Sequence, residues 1–176
     1  MNKSIRSLLF IVLIGGISFS SYGQKRISNN GKILFDAVNE EDVAATSHSF
    51  TSALDLSEKT IVFSIPIQSF IFRSSTMQKH FNAENVMNSK EFPKAKFKGT
   101  IITDEDLSVA GTYAVTVEGE MTIKGSTNAF TSEGEVVVKD GKIDVSSSFT
   151  VNGFDFGIDS KDFGDLVEVT LNASYE

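Results

Sequence analysis

From Ile27 onward, apolar and polar residues alternate with a period of two, the pattern of strands that bury one face. The clearest run is Thr112 to Gly125, where Tyr113, Val115, Val117, Met121 and Ile123 alternate with Thr112, Thr116, Glu118, Glu120, Thr122 and Lys124. Further runs are Ile33-Phe35-Ala37, Ile61-Phe63-Ile65-Ile67, Phe97 with Ile101, and Val167-Val169-Leu171-Ala173-Tyr175. Between Val136-Val137-Val138 and Ile143-Val145 stands Lys139-Asp140-Gly141-Lys142, whose Asp-Gly pair suits the positive φ angles of a two-residue hairpin turn.

One segment departs from this period. Ser75-Thr76-Met77-Gln78 fits a capping box, which predicts a short helix from there to about Met87 with Met77, Phe81 and Glu84 or Asn85 on one stripe. Pro93 then forces the chain out of helix. Many short strands and one helix predict a mainly β, antiparallel fold with one short α-helix, which can close as a barrel or stack as a sandwich. A run of fourteen residues would give such a barrel a wall of about 35 Å, tall enough to be filled by side chains or to hold one elongated ligand.

The first 23 residues read as an address. Lys3 and Arg6 precede an apolar stretch from Leu8 to Ile17, and Ser21-Tyr22-Gly23 offers small residues at a cleavage site. The expected organisation is a signal peptide over 1–23 and a single domain over 24–176, working in the periplasm or outside the cell. The apolar stretch is shorter than the ~20 residues that span a bilayer, so an uncleaved anchor is the lesser alternative and no stable membrane insertion is expected after cleavage.

Composition then removes several function classes. The 176-residue chain has no Cys, which excludes disulfides and Cys-based metal or redox sites. Its net charge is -7, and with Lys3 and Arg6 removed it carries 14 basic and 23 acidic residues, or -9, a poor match to nucleic acid. The excess is in Phe, 15 in all, of which Phe10 and Phe19 leave with the leader.

The stretch from Met77 to Gly99, with His80-Phe81 on the helix and Phe92-Pro93-Lys94-Ala95-Lys96-Phe97 entering a strand, resembles the central signature of the YceI-like, polyisoprenoid-binding family. Tyr113 to Gly125, Ser148 to Ile158 and Leu166 to Leu171 resemble further elements of that family in the same order. The resemblance covers nearly the whole mature chain and implies a lipocalin-like antiparallel β-barrel of about eight strands with one short α-helix, whose apolar lumen receives an isoprenoid or similar amphiphilic lipid outside the cytoplasm.

An apolar tail gains about 25 cal/mol for each Å² withdrawn from water, so such a lumen needs no catalytic group. The lining candidates are Phe63, Ile65, Ile67, Phe97, Ile101, Val115, Val117, Met121, Ile123, Val136, Val138, Val145, Phe149, Val167 and Val169. Phe70, Phe72, Met77, Phe81, Phe154 and Phe156 are candidates to close the mouth. Ordinary core packing is the competing account of each, because inward barrel positions are apolar with or without a ligand.

The polar residues offer less. His48 and His80 are too far apart for local metal spacing and have no third ligand at a diagnostic interval, so no metal is expected. Lys90, Lys94, Lys96 and Lys98 form a basic cluster, three of them on one strand face, open to solvent or to an anionic headgroup. Asp104-Asp106 and Asp162-Asp165 fall in predicted turns without the apolar surroundings of an acid catalyst. The expectation is a non-enzymatic lipid carrier without a cofactor, homodimerisation left open. The alternative is a ligand-free structural or stress-interaction barrel with a Phe-filled interior.

Overall fold

The computed structural model describes residues 25–37, 43–158 and 166–176. Among them are eleven strands: β1 (Arg26–Ser28), β2 (Asn30–Ala37), β3 (Ala44–Ser47), β4 (Thr51–Asp55), β5 (Thr60–Pro66), β6 (Ile71–Phe72), β7 (Lys94–Ile102), β8 (Gly111–Ile123), β9 (Ser126–Lys139), β10 (Lys142–Asn152) and β11 (Leu166–Tyr175). One helix, α1 (Ser75–Phe81), and two short 3₁₀ turns, Ile67–Ser69 and Gly153–Phe156, complete the set. The expected leader over 1–23 and the Asp162-Asp165 pair lie outside the described residues.

All pairings are antiparallel within a single strongly curled, barrel-like sheet, in the order β1-β4-β5-β7-β8-β9-β10-β11-β2-β3-β6. The expected count of about eight strands is thus corrected to eleven. Part of the difference is chemical. At Ser28-Asn29-Asn30 the Ser28 hydroxyl accepts from the Asn30 N–H at 3.0 Å, and at Ser47-His48-Ser49 the Ser47 hydroxyl accepts from the Ser49 N–H at 3.1 Å. These local bonds compete with the ladder and separate β1 from β2 and β3 from β4. The curl brings β1 against β11, where Ser28 Oγ donates to the Ser174 carbonyl at 2.5 Å.

The long alternating runs form β7, β8 and β11 as their period demands, and Lys139 pairs with Lys142 across a turn in which Asp140 has φ 50° and Gly141 φ 81°. A second turn of the same kind was hidden inside the Thr112 to Gly125 run. Lys124 (φ 48°) and Gly125 (φ 81°) are the turn that joins β8 to β9, so the strand ends at Ile123.

The helix is shorter than expected and begins one residue earlier in its cap. Ser74, not Ser75, is the N-cap and accepts from the Met77 N–H at 3.4 Å, while Gln78 Oε1 accepts from the Phe72 N–H at 3.1 Å. Phe81 is the last helical residue. Asn82 then turns the chain, the Met87 N–H donates to the Phe81 carbonyl at 3.2 Å, and Asn88 adopts φ 45°. Glu84 and Asn85 are consequently exposed in the turn that follows and do not extend the apolar stripe.

Candidate functional site

The interior has two zones. At one end Leu54, Ile61, Ile101, Leu107, Val136, Ile143 and Tyr175 pack with at most 2% of their surface exposed. Towards the other end the wall encloses a cavity of about 140 Å³, lined almost wholly by carbon. Apolar cavities of about this size stay dry and accept a ring-sized hydrocarbon.

The strands give the cavity mostly the residues that their period turns inward; Lys96, on the exposed phase of β7, also borders it. The walls are Ile33 and Phe35 of β2, Ile65 of β5, Ala95, Lys96 and Phe97 of β7, Met121 and Ile123 of β8, Phe149 and Val151 of β10, and Val167 and Val169 of β11. Ile67, Phe70, Phe81, Val86, Met87, Gly153 and Ile158 complete the lining from the connecting segments.

Ten of the sequence candidates therefore border this space: Ile65, Ile67, Phe70, Phe81, Phe97, Met121, Ile123, Phe149, Val167 and Val169. Phe63, Ile101, Val115, Val117, Val136, Val138 and Val145 do not, because they lie further along the same inward faces and belong to the core or pack against it. Phe72 and Met77 pack at the covered end without lining the cavity, Phe156 is buried in the 3₁₀ turn without lining it, and Phe154 is 51% exposed. Sequence reasoning missed Val86 and Met87, which follow the helix, and also Ile33, Phe35, Ala95, Lys96, Val151, Gly153 and Ile158 as lining. The alternation of Ile33 with Phe35 carried a signal for two of them.

The covered end is a cluster of rings. Phe35 meets Phe70, Phe72 and Phe81 with centroids 6.3, 5.9 and 5.7 Å apart, all edge-to-face, and Phe72 lies 4.9 Å from Phe81. Each such pair adds about 0.5–1.5 kcal/mol to the burial of its rings. Val86 and Met87 seal the remainder at 1% and 6% exposure. Hydrogen bonds hold the segment in place: Asn82 Nδ2 donates to the Gln78 carbonyl at 2.8 Å, and the Ile67 N–H donates to the Pro93 carbonyl at 2.9 Å.

Charge stays outside. Lys94, Lys96 and Lys98 are exposed at alternate positions of β7, with Lys98 opposite Glu120. Asp55 and Asp106 are held below the usual carboxylate range, chiefly by the hydroxyls of Ser57 and Ser108, in exposed turns away from the cavity. Among the described residues, no group of three or more His, Asp or Glu side chains could hold a metal ion, and no helix is long and apolar enough to cross a membrane.

A family model for the YceI-like domain matches residues 23–175. The chain belongs to the YceI-like family. Among solved structures, this YceI-like chain is similar to a polyisoprenoid-binding domain from Saccharophagus degradans described as implicated in plant cell wall breakdown, with TM-score 0.70 and 11% identity over 87% of this chain and 99% of that one. It is similar to Burkholderia cenocepacia BcnA, with TM-score 0.65 and 14% identity over 85% and 95% of the two chains. It is also similar to the Campylobacter jejuni YceI protein, with TM-score 0.60 and 16% identity over 98% and 99%. At these identities the likeness is one of fold. No curated protein matches the sequence.

Proposed function

We propose that this YceI-like protein binds the apolar tail of an isoprenoid or similar amphiphile in the cavity and sequesters or carries it outside the cytoplasm, acting by binding alone. The carbon lining of the cavity carries this reading: an apolar tail gains there from burial, and a polar substrate would lose its hydrogen bonds. The Saccharophagus degradans relative, described as polyisoprenoid-binding, supports the same class of ligand. The leader-like residues 1–23 support an extracytoplasmic location.

A tail longer than one ring-sized group needs neighbours to yield. Phe97 and Phe149 are half-buried and Met121 is unbranched, so the wall contains side chains that can swing aside. The competing reading, a Phe-filled interior without ligand, draws on Phe130, which meets Phe97 at 6.0 Å and Phe149 at 4.9 Å. Organic extraction of the protein purified from its own host, followed by mass spectrometry, separates the two. A stoichiometric amphiphile supports lipid carriage. Reproducibly empty protein that also rejects added isoprenoid quinones overturns it.

A further inference from the structure

The ladder between β9 and β10 stops half-way. Partner residues run from Lys139 and Lys142 to Gly134 and Ser147, yet β9 stays paired to β8 back to Ser126 and β10 stays paired to β11 as far as Asn152. The two strands therefore diverge. Side chains close the vertex: Ser147 Oγ donates to the Glu133 carbonyl at 2.6 Å and lies 2.7 Å from Ser132 Oγ, so a hydroxyl takes the carbonyl that a backbone N–H would take in a continued ladder. The 3₁₀ turn Gly153–Phe156 occupies the wide end, where Asn128 Nδ2 donates to the Asp155 carbonyl at 2.7 Å.

This triangular window has a polar frame and an aromatic pane. Alternate residues of an antiparallel strand direct their N–H and C=O groups to alternate sides, and the tight hairpin at Lys124-Gly125 sets those of Thr127, Ala129 and Thr131 towards the gap. Across it, Phe130 and Phe149 meet edge-to-face at 4.9 Å, both half-buried. Phe149 also lines the cavity, so window and cavity adjoin. The helical end, by contrast, is shut by the buried Phe70, Phe72, Phe81, Val86 and Met87. Two half-buried rings with no backbone ladder between their strands move more readily than five buried side chains.

Resting on the lipid-binding reading, we infer that this window is the entrance for the lipid and that the polar head left in it is uncharged. Ser132, Ser147, Asn128 and the strand edges that have no ladder partner among the described residues offer hydrogen bonds to a hydroxyl, carbonyl or amide. Among the described residues acidic side chains flank the window: Glu133, whose carboxylate accepts from Thr116 Oγ1 at 3.0 Å on the β8 side, Glu168, whose Oε1 accepts from Ser148 Oγ at 3.3 Å, and Asp155 on the closing turn. Lys124 is engaged with the Gly157 carbonyl at 3.1 Å. A phosphate or carboxylate head would add a negative charge beside these residues, with Lys124 already engaged, and an uncharged head escapes that cost.

The chain has no Cys, so an introduced pair can be bridged selectively. Thr131→Cys with Thr150→Cys, joined by a short bismaleimide, spans the window. Thr100→Cys with Glu118→Cys, joined likewise, spans an intact ladder pair away from the window and serves as reference. Uptake of 1-aminoanthracene is followed by stopped-flow fluorescence, and geranylgeraniol is compared with geranylgeranyl phosphate as competitor. The window bridge slows uptake at least tenfold, the reference bridge less than twofold, and the alcohol displaces the probe at concentrations at least tenfold below the phosphate. Phe130→Ala, which enlarges the window and needs no bridge, raises the uptake rate severalfold. Equal rates in the bridged forms and in Phe130→Ala overturn the entrance, and a phosphate that competes as well as the alcohol overturns the uncharged head. Unmodified protein that takes up neither probe nor alcohol overturns lipid binding itself, an outcome distinct from both.

Discussion

Ser52 Oγ and Tyr175 Oη lie 2.5 Å apart in the sealed end of the sheet, with 1% and 0% of the two residues exposed. The same hydroxyl of Ser52 lies 2.8 Å from the Val62 carbonyl, so the last strand is tied to β4 and β5 through one buried polar cluster. Burial disfavours the tyrosinate and pushes the Tyr175 pKa from 10.0 up to about 12, against the opposing pull of the Ser52 hydrogen bond.

Because the folded pKa lies above the unfolded one, the stability that Tyr175 contributes is whole below pH 10 and declines between pH 10 and about pH 12, where the unfolded chain alone gives up the proton. A shift of this size corresponds to about 2–3 kcal/mol across that window. Tyr175→Phe loses about 1 kcal/mol at neutral pH, where Ser52 keeps its Val62 contact, and lacks this alkaline decline. Urea titrations at a series of pH values check it. Parallel alkaline limbs for the two proteins would show that Tyr175 does not titrate as a buried group.

Phe35 is the hub of the ring cluster, touching Phe70, Phe72 and Phe81. Phe35→Ala is expected to cost about 3–5 kcal/mol in denaturant unfolding, since three neighbours lose a partner at once. Phe154→Ala, at a ring 51% exposed, stays within about 0.5 kcal/mol. Similar losses for the two would mean that the cluster is not what covers the cavity.

These two rings also mark how far the sequence could be read. Period two revealed β7, β8 and β11, and the Asp140-Gly141 turn was plain, because one face of each strand is wet and the turn needs positive φ. Position along the axis was not legible. Val115 and Met121 both point inward on β8, but only Met121 reaches the cavity, and that depends on what the other strands place at the same height. Nor was Gly119 informative. It stands opposite Gly99, where a Cβ would come within 2.2 Å of the Lys98 carbonyl oxygen, a close approach that depends on the register of β7 against β8. The breaks at Ser28-Asn29-Asn30 and Ser47-His48-Ser49 escaped notice because they come from side-chain bonds within strand-like runs.

The two hairpin glycines have the same φ, 81°, and different surroundings. A methyl group on Gly141 meets nothing within 4 Å, whereas one on Gly125 lies 2.7 Å from a ring carbon of Phe92. Gly141→Ala therefore reports backbone strain alone, about 1 kcal/mol. Gly125→Ala costs more, and its excess over Gly141→Ala disappears when Phe92 is also changed to Ala. A double-mutant cycle in urea measures that excess directly. No coupling between positions 125 and 92 would overturn the contact.

Ala95 is the small residue in the cavity wall, paired with Ile65 on β5 and beside Phe97 on its own strand. Ala95→Phe places a ring where the free volume is, and filling a void can offset the strain of a larger side chain, so its unfolding free energy stays within about 1 kcal/mol of the parent. If the tail of an amphiphile occupies this cavity, the same change weakens apolar-probe binding at least tenfold. Replacing Lys94 and Lys98 together with Gln leaves binding of an uncharged probe unchanged, because their side chains belong to the exposed face of β7 and do not line the cavity. Fluorescence titration of the two variants against the parent therefore separates cavity from surface. Full binding by a stable Ala95→Phe protein would place the ligand elsewhere, and loss of binding in the lysine variant would move it to the outer wall.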